Sequence, residues 1–180
     1  MQRVPNAEFP PELKRRLEEL WGTPPDLYRA LGNHAPLAAA WAEFARAIRY
    51  ESRTPRTLRE LVILRGAQLM RSEYEWAQHL KMARKAGVRE AQIAALALWR
   101  DSGEFDAREK AALLLAEAVT GADVTDEVYA AVSAHFDHAT YVELSLTAAF
   151  YAMVARMLDA MRIELEPEFR DYAPPLPWPA

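Results

Sequence analysis

Two carboxylates, one imidazole and two aromatic rings fall close together in Arg59-Glu60-Leu61 and in Ser72-Glu73-Tyr74-Glu75-Trp76-Ala77-Gln78-His79. Glu75 and His79 stand four residues apart and share one helix face, with Trp76 one step around the same side. Glu60 lies on the stripe that carries Ile63, Leu64 and Ala67 of the preceding segment. A charge in an apolar stripe is costly to bury unless something pairs with it, and a facing imidazole is a natural partner. A carboxylate beside a histidine raises the imidazole pKa, orients one ring nitrogen and leaves the other to move a proton. Glu60 with His79 is therefore the physical minimum for general acid–base catalysis.

Each of these residues has a plainer use. Ser72-x-x-Glu75 has the spacing of a capping box, in which the serine oxygen and the Glu75 carboxylate satisfy backbone N–H groups at a helix start. Glu75 and His79 have the spacing of metal ligands, but two ligands are too few for zinc and His34, His135 and His138 offer no clear third. No metal or cofactor is expected. Tyr74 and Trp76 read as core or as pocket wall.

The elements that position these groups are helices. No segment alternates apolar and polar residues with β-branched enrichment, and glycine numbers only 6. Pro10-Pro11 opens a first helix toward Trp21, Thr23-Pro24-Pro25-Asp26 a short second one, and Pro36 a third that runs to Tyr50. Thr54-Pro55 precedes a helix from Arg56 to about Arg71, followed by one from Glu73 to the stop at Gly87 and another to about Trp99. Asp106-Ala107-Arg108-Glu109 is a capping box for a helix ending at Gly121, and Thr125 caps the next. The last helix, roughly Ala139 to Arg162, carries Val142, Leu146, Ala149, Met153, Met157 and Met161 at helical spacing and is apolar on nearly all sides in its middle turns. That pattern predicts burial by several neighbours, with the methionines, Phe150 and Tyr151 filling core rather than forming a cofactor box. The expected architecture is all-α, about eight to nine helices in one domain over 1–180. A proline-rich tail follows at 173–180, either extended or an arm that packs through Trp178 on a neighbouring subunit.

Composition narrows the function. A chain of 180 residues, 51% hydrophobic, is long enough for one well-buried domain. A net charge of −4, with basic residues interspersed among acids as in Lys14/Glu18 and Arg15/Glu19, argues against a nucleic-acid partner. Cysteine is absent, which removes disulfides, thiolate catalysis and thiol redox chemistry. The N-terminus lacks the apolar run of a signal peptide, and the apolar stretch from Leu144 to Val154 is short for a membrane span, so a cytoplasmic location with no membrane partner is expected.

The segments Arg59-Glu60-Leu61-Val62-Ile63-Leu64-Arg65, Ser72 to His79 and Ala83 to Gly87 resemble the carboxymuconolactone decarboxylase and AhpD-like family, in a Tyr-Glu-Trp-x-x-His form. The similarity reaches back through Tyr28-Arg29-Ala30-Leu31 and Trp41-Ala42-Glu43-Phe44 and forward to Phe150-Tyr151-Ala152-Met153-Val154-Ala155. The resemblance implies an AhpD-like helical fold that assembles as a trimer, hexamer or dimer. The thiol-dependent branch places a Glu, a Cys-x-x-Cys and a His in one proton-relay pocket. Glu60 and His79 match its Glu and His, whereas Ser72 and Glu75 fall where the cysteines would be. Peroxidase or disulfide-reductase chemistry is thereby out.

The decarboxylase branch implies a cofactor-free lyase acting on a small unsaturated or lactone-type organic acid. His79 would be proton donor and acceptor, Glu60 would set its tautomer, and Tyr74 or Trp76 would wall the ring. Arg65, Arg71 or a free N–H at the Glu73 helix start would hold an anionic group. Glu75 is either tied up in the cap or part of the pocket. Isomerisation or lactone hydrolysis in the same pocket, and a non-catalytic helical oligomer that binds a small molecule, are the competing expectations.

Overall fold

A computed structural model describes residues 2–172 and Trp178. Among the described residues there are nine α-helices, three short 3-10 turns and no strand: α1 Pro11–Trp21, α2 Asp26–Leu31, α3 Ala35–Tyr50, α4 Arg56–Met70, α5 Glu73–Ala86, α6 Glu90–Ala95, α7 Ala107–Gly121, α8 Asp126–Ser133 and α9 His138–Met161. The fold is all-α. Of the proline-rich tail, only Trp178 lies within the described residues.

The helix surrounded on all sides is α4, which packs against α5, α7 and α9. Ten of its residues are buried, including Arg59 and Glu60. Arg59 is tolerated there because its guanidinium donates to open carbonyls around it: Nη1 to Ile48 O at 2.5 Å and Arg49 O at 3.1 Å at the end of α3, and Nε to Thr54 O at 3.1 Å in the loop before α4. A buried cation is thus converted into a helix-end cap.

Two residues turn α4 into α5. Arg71 takes the left-handed conformation (φ 53°), and Ser72 N donates to Ala67 O at 2.9 Å to close the end of α4. Ser72 then begins α5, accepting from Glu75 N at 3.4 Å. The expected capping box is only half made, because the Glu75 carboxylate does not return to the Ser72 backbone; it points elsewhere. At the other end Gly87 adopts φ 97°, a conformation that costs a side chain, and Val88 N reaches Ala83 O at 3.0 Å. The Asp106/Glu109 capping box on α7 is complete, at 2.8 and 2.9 Å, and Thr125 caps α8.

Helix α9 departs from expectation. Leu144, Ala148, Phe150, Tyr151, Val154 and Leu158 are buried, but Val142, Leu146, Ala149 and Met153 form an exposed apolar stripe. Exposed Leu37 and Phe44 stand on α3, which also packs against α9. By length and composition α9 could cross a membrane, more than the Leu144–Val154 stretch alone predicts; 56% of the most apolar 18 residues of α9 are buried within the fold. Trp178 meets Trp76 of its own chain edge-on at 5.8 Å.

Candidate active site

The two faces of α5 do different work. Trp76, Leu80 and Ala83 pack into an apolar cluster with Leu61, Leu64, Leu96 and Trp99. Tyr74, Glu75, Gln78, His79 and Met82, one to four residues apart along the opposite face, line a cavity of about 620 Å³. Trp41 and Arg49 of α3 and Phe150, Tyr151 and Val154 of α9 complete its walls, and segments 21–29 and 166–169 cover it. The walls are aromatic and interlocked. Phe150 stacks edge-on with Tyr151 at 5.3 Å, Trp41 meets Phe150 at 5.2 Å, and Tyr151 stands edge-on to the His79 ring at 4.6 Å.

His79 Nδ1 lies 2.8 Å from Glu60 Oε2, and both side chains are buried. The other Glu60 oxygen is ion-paired with Arg56, one helical turn earlier. Burial alone would push the Glu60 carboxyl up, but His79 and Arg56 hold it below the usual range, so it is ionised. Burial pushes the His79 imidazole down, and Glu60 only partly restores it. The ring is therefore neutral near neutral pH, with Nδ1–H donated to Glu60 and Nε2 left as the basic nitrogen. Among the described residues Nε2 has no hydrogen-bond partner.

Glu75 has the opposite surroundings. It is 2% exposed, and neither carboxyl oxygen has a hydrogen-bond partner among the described residues. Burial pushes its pKa well above the ordinary value, against the pull of Arg49. Tyr74 Oη donates to Glu166 Oε1 at 2.5 Å and Gln78 Nε2 to Glu166 Oε2 at 3.0 Å, while Asp26 N also donates to Glu166 at 3.0 Å. Glu166 thus pins the segment before the final 3-10 turn across α5 and the start of α2.

The structure brings Tyr74, Glu75 and His79 together at the cavity, with Glu60 directly behind His79. It does not bring Trp76 or Arg65 there. Trp76 is on the core face of α5. Arg65 Nε donates to Glu117 at 2.8 Å, and its Nη1 donates to Gln68 at 3.0 Å. The sequence points to both as substrate-binding residues; α5 turns Trp76 inward, and Glu117 claims Arg65. Three cations line the cavity: Arg29 and Lys81 are exposed, whereas Arg49 is half-buried and its Nε donates to Tyr151 Oη at 3.2 Å. Among the described residues the side-chain partners of Arg49 are the Tyr151 hydroxyl and the Trp21 ring, 5.7 Å away, rather than a carboxylate. The sequence does not single out Arg49, because an arginine in the last turn of a helix is the ordinary complement to the helix dipole. Nor does it single out Glu166, which no motif marks. Among the described residues no cluster of three or more His, Asp or Glu side chains is placed to hold a metal ion.

Residues 35–118 match the family model described as the carboxymuconolactone decarboxylase family. YdfG, an uncharacterized protein of Bacillus subtilis (strain 168), is 36% identical over 99 residues, which cover 53% of this chain and 67% of the relative. Solved structures share the fold at lower identity. The debrominase Bmp8 gives a TM-score of 0.78 at 20% identity over 90% of each chain. A peroxidase-related protein from Ralstonia eutropha JMP134, described as an AhpD core, gives 0.80 at 17% identity over 93% of this chain and 94% of that one.

Proposed function

This chain belongs to the carboxymuconolactone decarboxylase family, and from that premise we propose that it is a cofactor-independent lyase that removes CO2 from a small unsaturated or lactone-type organic acid. The observation that carries the reading is the buried Glu60–His79 hydrogen bond at the wall of an aromatic cavity that also holds Arg49. Arg49 receives the anionic end of the substrate. A carboxylate drawn into the same dry space raises the His79 pKa, so Nε2 takes up a proton as substrate binds. Cleavage of the C–C bond releases CO2 and leaves the electron pair as an enolate. The imidazolium N–H then breaks, a C–H bond forms on the substrate, and His79 returns to its neutral form. Glu60 stays ionised throughout and fixes the tautomer.

The neutral resting state of His79 favours one further reading: the same nitrogen is equally a base for isomerisation or lactone hydrolysis. Carboxylated unsaturated lactones incubated with the protein separate the two through released CO2 against rearranged or opened product. His79→Ala is expected to lower turnover by ~10²–10⁴-fold, the usual contribution of a positioned acid–base group. Undiminished turnover in His79→Ala and Glu60→Ala would reject the assignment. Loss of fold in both would make the pair structural. Self-association belongs to the same proposal, supported by the exposed stripe of Val142, Leu146 and Met153 on α9 and by exposed Leu37 and Phe44 on α3, the helix packed against it. Light scattering should report an oligomer, and Leu146→Glu should dissociate it.

A further inference from the structure

Glu75 is the buried carboxyl of the cavity wall that no hydrogen bond among the described residues uses. Its neighbours on α5 are committed: Tyr74 and Gln78 both donate to Glu166, and His79 gives Nδ1–H to Glu60. Arg49 lines the same cavity but directs Nε to Tyr151 rather than to Glu75. The half-made cap at Ser72 leaves both Glu75 oxygens buried and unpartnered among the described residues, on the face that lines the cavity. A polar group so placed is expensive for the fold unless a ligand satisfies it.

We propose that Glu75 is the hydrogen-bond donor for the carbonyl oxygen of the bound substrate, the oxygen on which enolate charge accumulates. This rests on the reading of the site given above and names its substrate class: an enolisable carbonyl compound with an anionic group at the far end for Arg49. Burial keeps the carboxyl protonated, which makes it a donor where a carboxylate would repel the developing anion. The donor is fixed before the reaction and sits in a cavity with aromatic walls, where a hydrogen bond to growing charge strengthens most. Glu75 and His79 are one helical turn apart, with Cβ atoms about 5–6 Å apart in such pairs. A flat ring lying along α5 therefore offers its carbonyl oxygen to Glu75 and a ring carbon to Nε2 of His79. No bond to Glu75 breaks, so it resets without a co-reactant.

The test uses 4-nitrophenol as an enolate mimic whose phenolate form is read from its visible absorbance. The full-length protein is expected to bind it as phenolate and to lower its apparent pKa. Glu75→Leu should weaken phenolate binding by at least tenfold, with Glu75→Gln intermediate because an amide N–H still donates. With a lactone acid that is turned over, Glu75→Leu should lower kcat by ~10²–10³-fold, the usual loss for one such donor, and leave KM nearly unchanged. Both variants should melt no lower than the parent protein, since the group removed makes no hydrogen bond. Binding of the neutral phenol, no binding at all, or unchanged binding and kcat in Glu75→Leu would overturn the proposal. So would a lower melting temperature in both variants, which would mark the carboxyl as structural. If no lactone acid releases CO2 but phenolate binding still depends on Glu75, the decarboxylase reading fails and Glu75 keeps its role. If CO2 release proceeds without regard to Glu75, the reverse holds.

Discussion

Glu60 and Glu75 sit on consecutive helices of one hairpin, at 0% and 2% exposure, so burial does not distinguish them. Their partners do. Glu60 accepts from His79 and pairs with Arg56, whereas Glu75 faces the cavity with neither oxygen satisfied among the described residues. The same side chain in the same hairpin is thereby ionised in one place and protonated in the other. Enzymes that assign separate duties to two carboxyl groups make this division, and here it follows from which helix face each occupies. Glu60 looks sideways from α4 into α5. Glu75 looks out from α5 into the space between α3 and α9.

Stability offers the largest break point for this contrast. Removing one member of a buried ion pair strands the others, typically at 3–5 kcal/mol. Glu60→Leu should cost ~3 kcal/mol, toward the low end of that range because the Arg56 side chain is partly exposed and can turn to water. Glu75→Leu should cost nothing, or stabilise, because it removes a buried group with no protein partner. Chemical denaturation of the two variants side by side decides the matter. Equal losses would mean that Glu75 has a partner after all.

The helical fold is legible in the amino-acid order alone. Prolines at the starts of α1, α3 and α4, the Asp106/Glu109 box and Gly87 are local signals, and each marks a helix end in the structure. Glu60 with His79 is legible because a charge in an apolar stripe demands a partner. What escapes depends on long-range packing. Ser72-x-x-Glu75 looks like a complete cap in one dimension, and only α3 and α9 show that a cavity competes for the Glu75 side chain. The periodicity of α9 does not say which of its apolar faces meets another helix and which stays open. Periodicity marks α9 as the enclosed helix, a place that α4 holds, because the charged residues Arg56, Arg59, Glu60 and Arg65 spread around α4 conceal how much of it is buried.

A smaller effect comes from pH, and its sign differs for the two carboxyls. Glu60 has a folded pKa below its unfolded value, so its contribution is present above the usual glutamate range and is lost as pH falls. Glu75 has a folded pKa raised above the unfolded one. Its cost is absent below the usual glutamate range and grows as pH rises, at about 1.4 kcal/mol per pH unit while the folded form stays protonated. His79 follows the sign of Glu60, losing stability as pH drops below the ordinary imidazole value. The stability gap between Glu75→Gln and the parent protein should therefore widen from pH 5 to pH 7. That between Glu60→Gln and the parent protein should shrink as pH falls below 5. Parallel curves for the two would show that the carboxyls share one protonation state.

The smallest effects separate the two arginines. Arg49 lines the cavity and has no carboxylate partner among the described residues, while Arg65 is held by Glu117 and Gln68 on the other side of α4. A hydrogen bond to an ionised group is worth about 1.5–3 kcal/mol, so Arg49→Met should raise KM by ~10–100-fold and leave kcat close to the parent value. Such a pattern is the signature of binding that is equal in ground and transition states. Arg65→Met should cost about 1 kcal/mol of stability, because Glu117 retains its bond from Trp99 at 2.7 Å and its ion pair with Arg100 at 2.5 Å. Its KM should not move. If Arg65→Met raised KM and Arg49→Met did not, the anion would bind on the far face of α4, and neither His79 nor Glu75 would be near it.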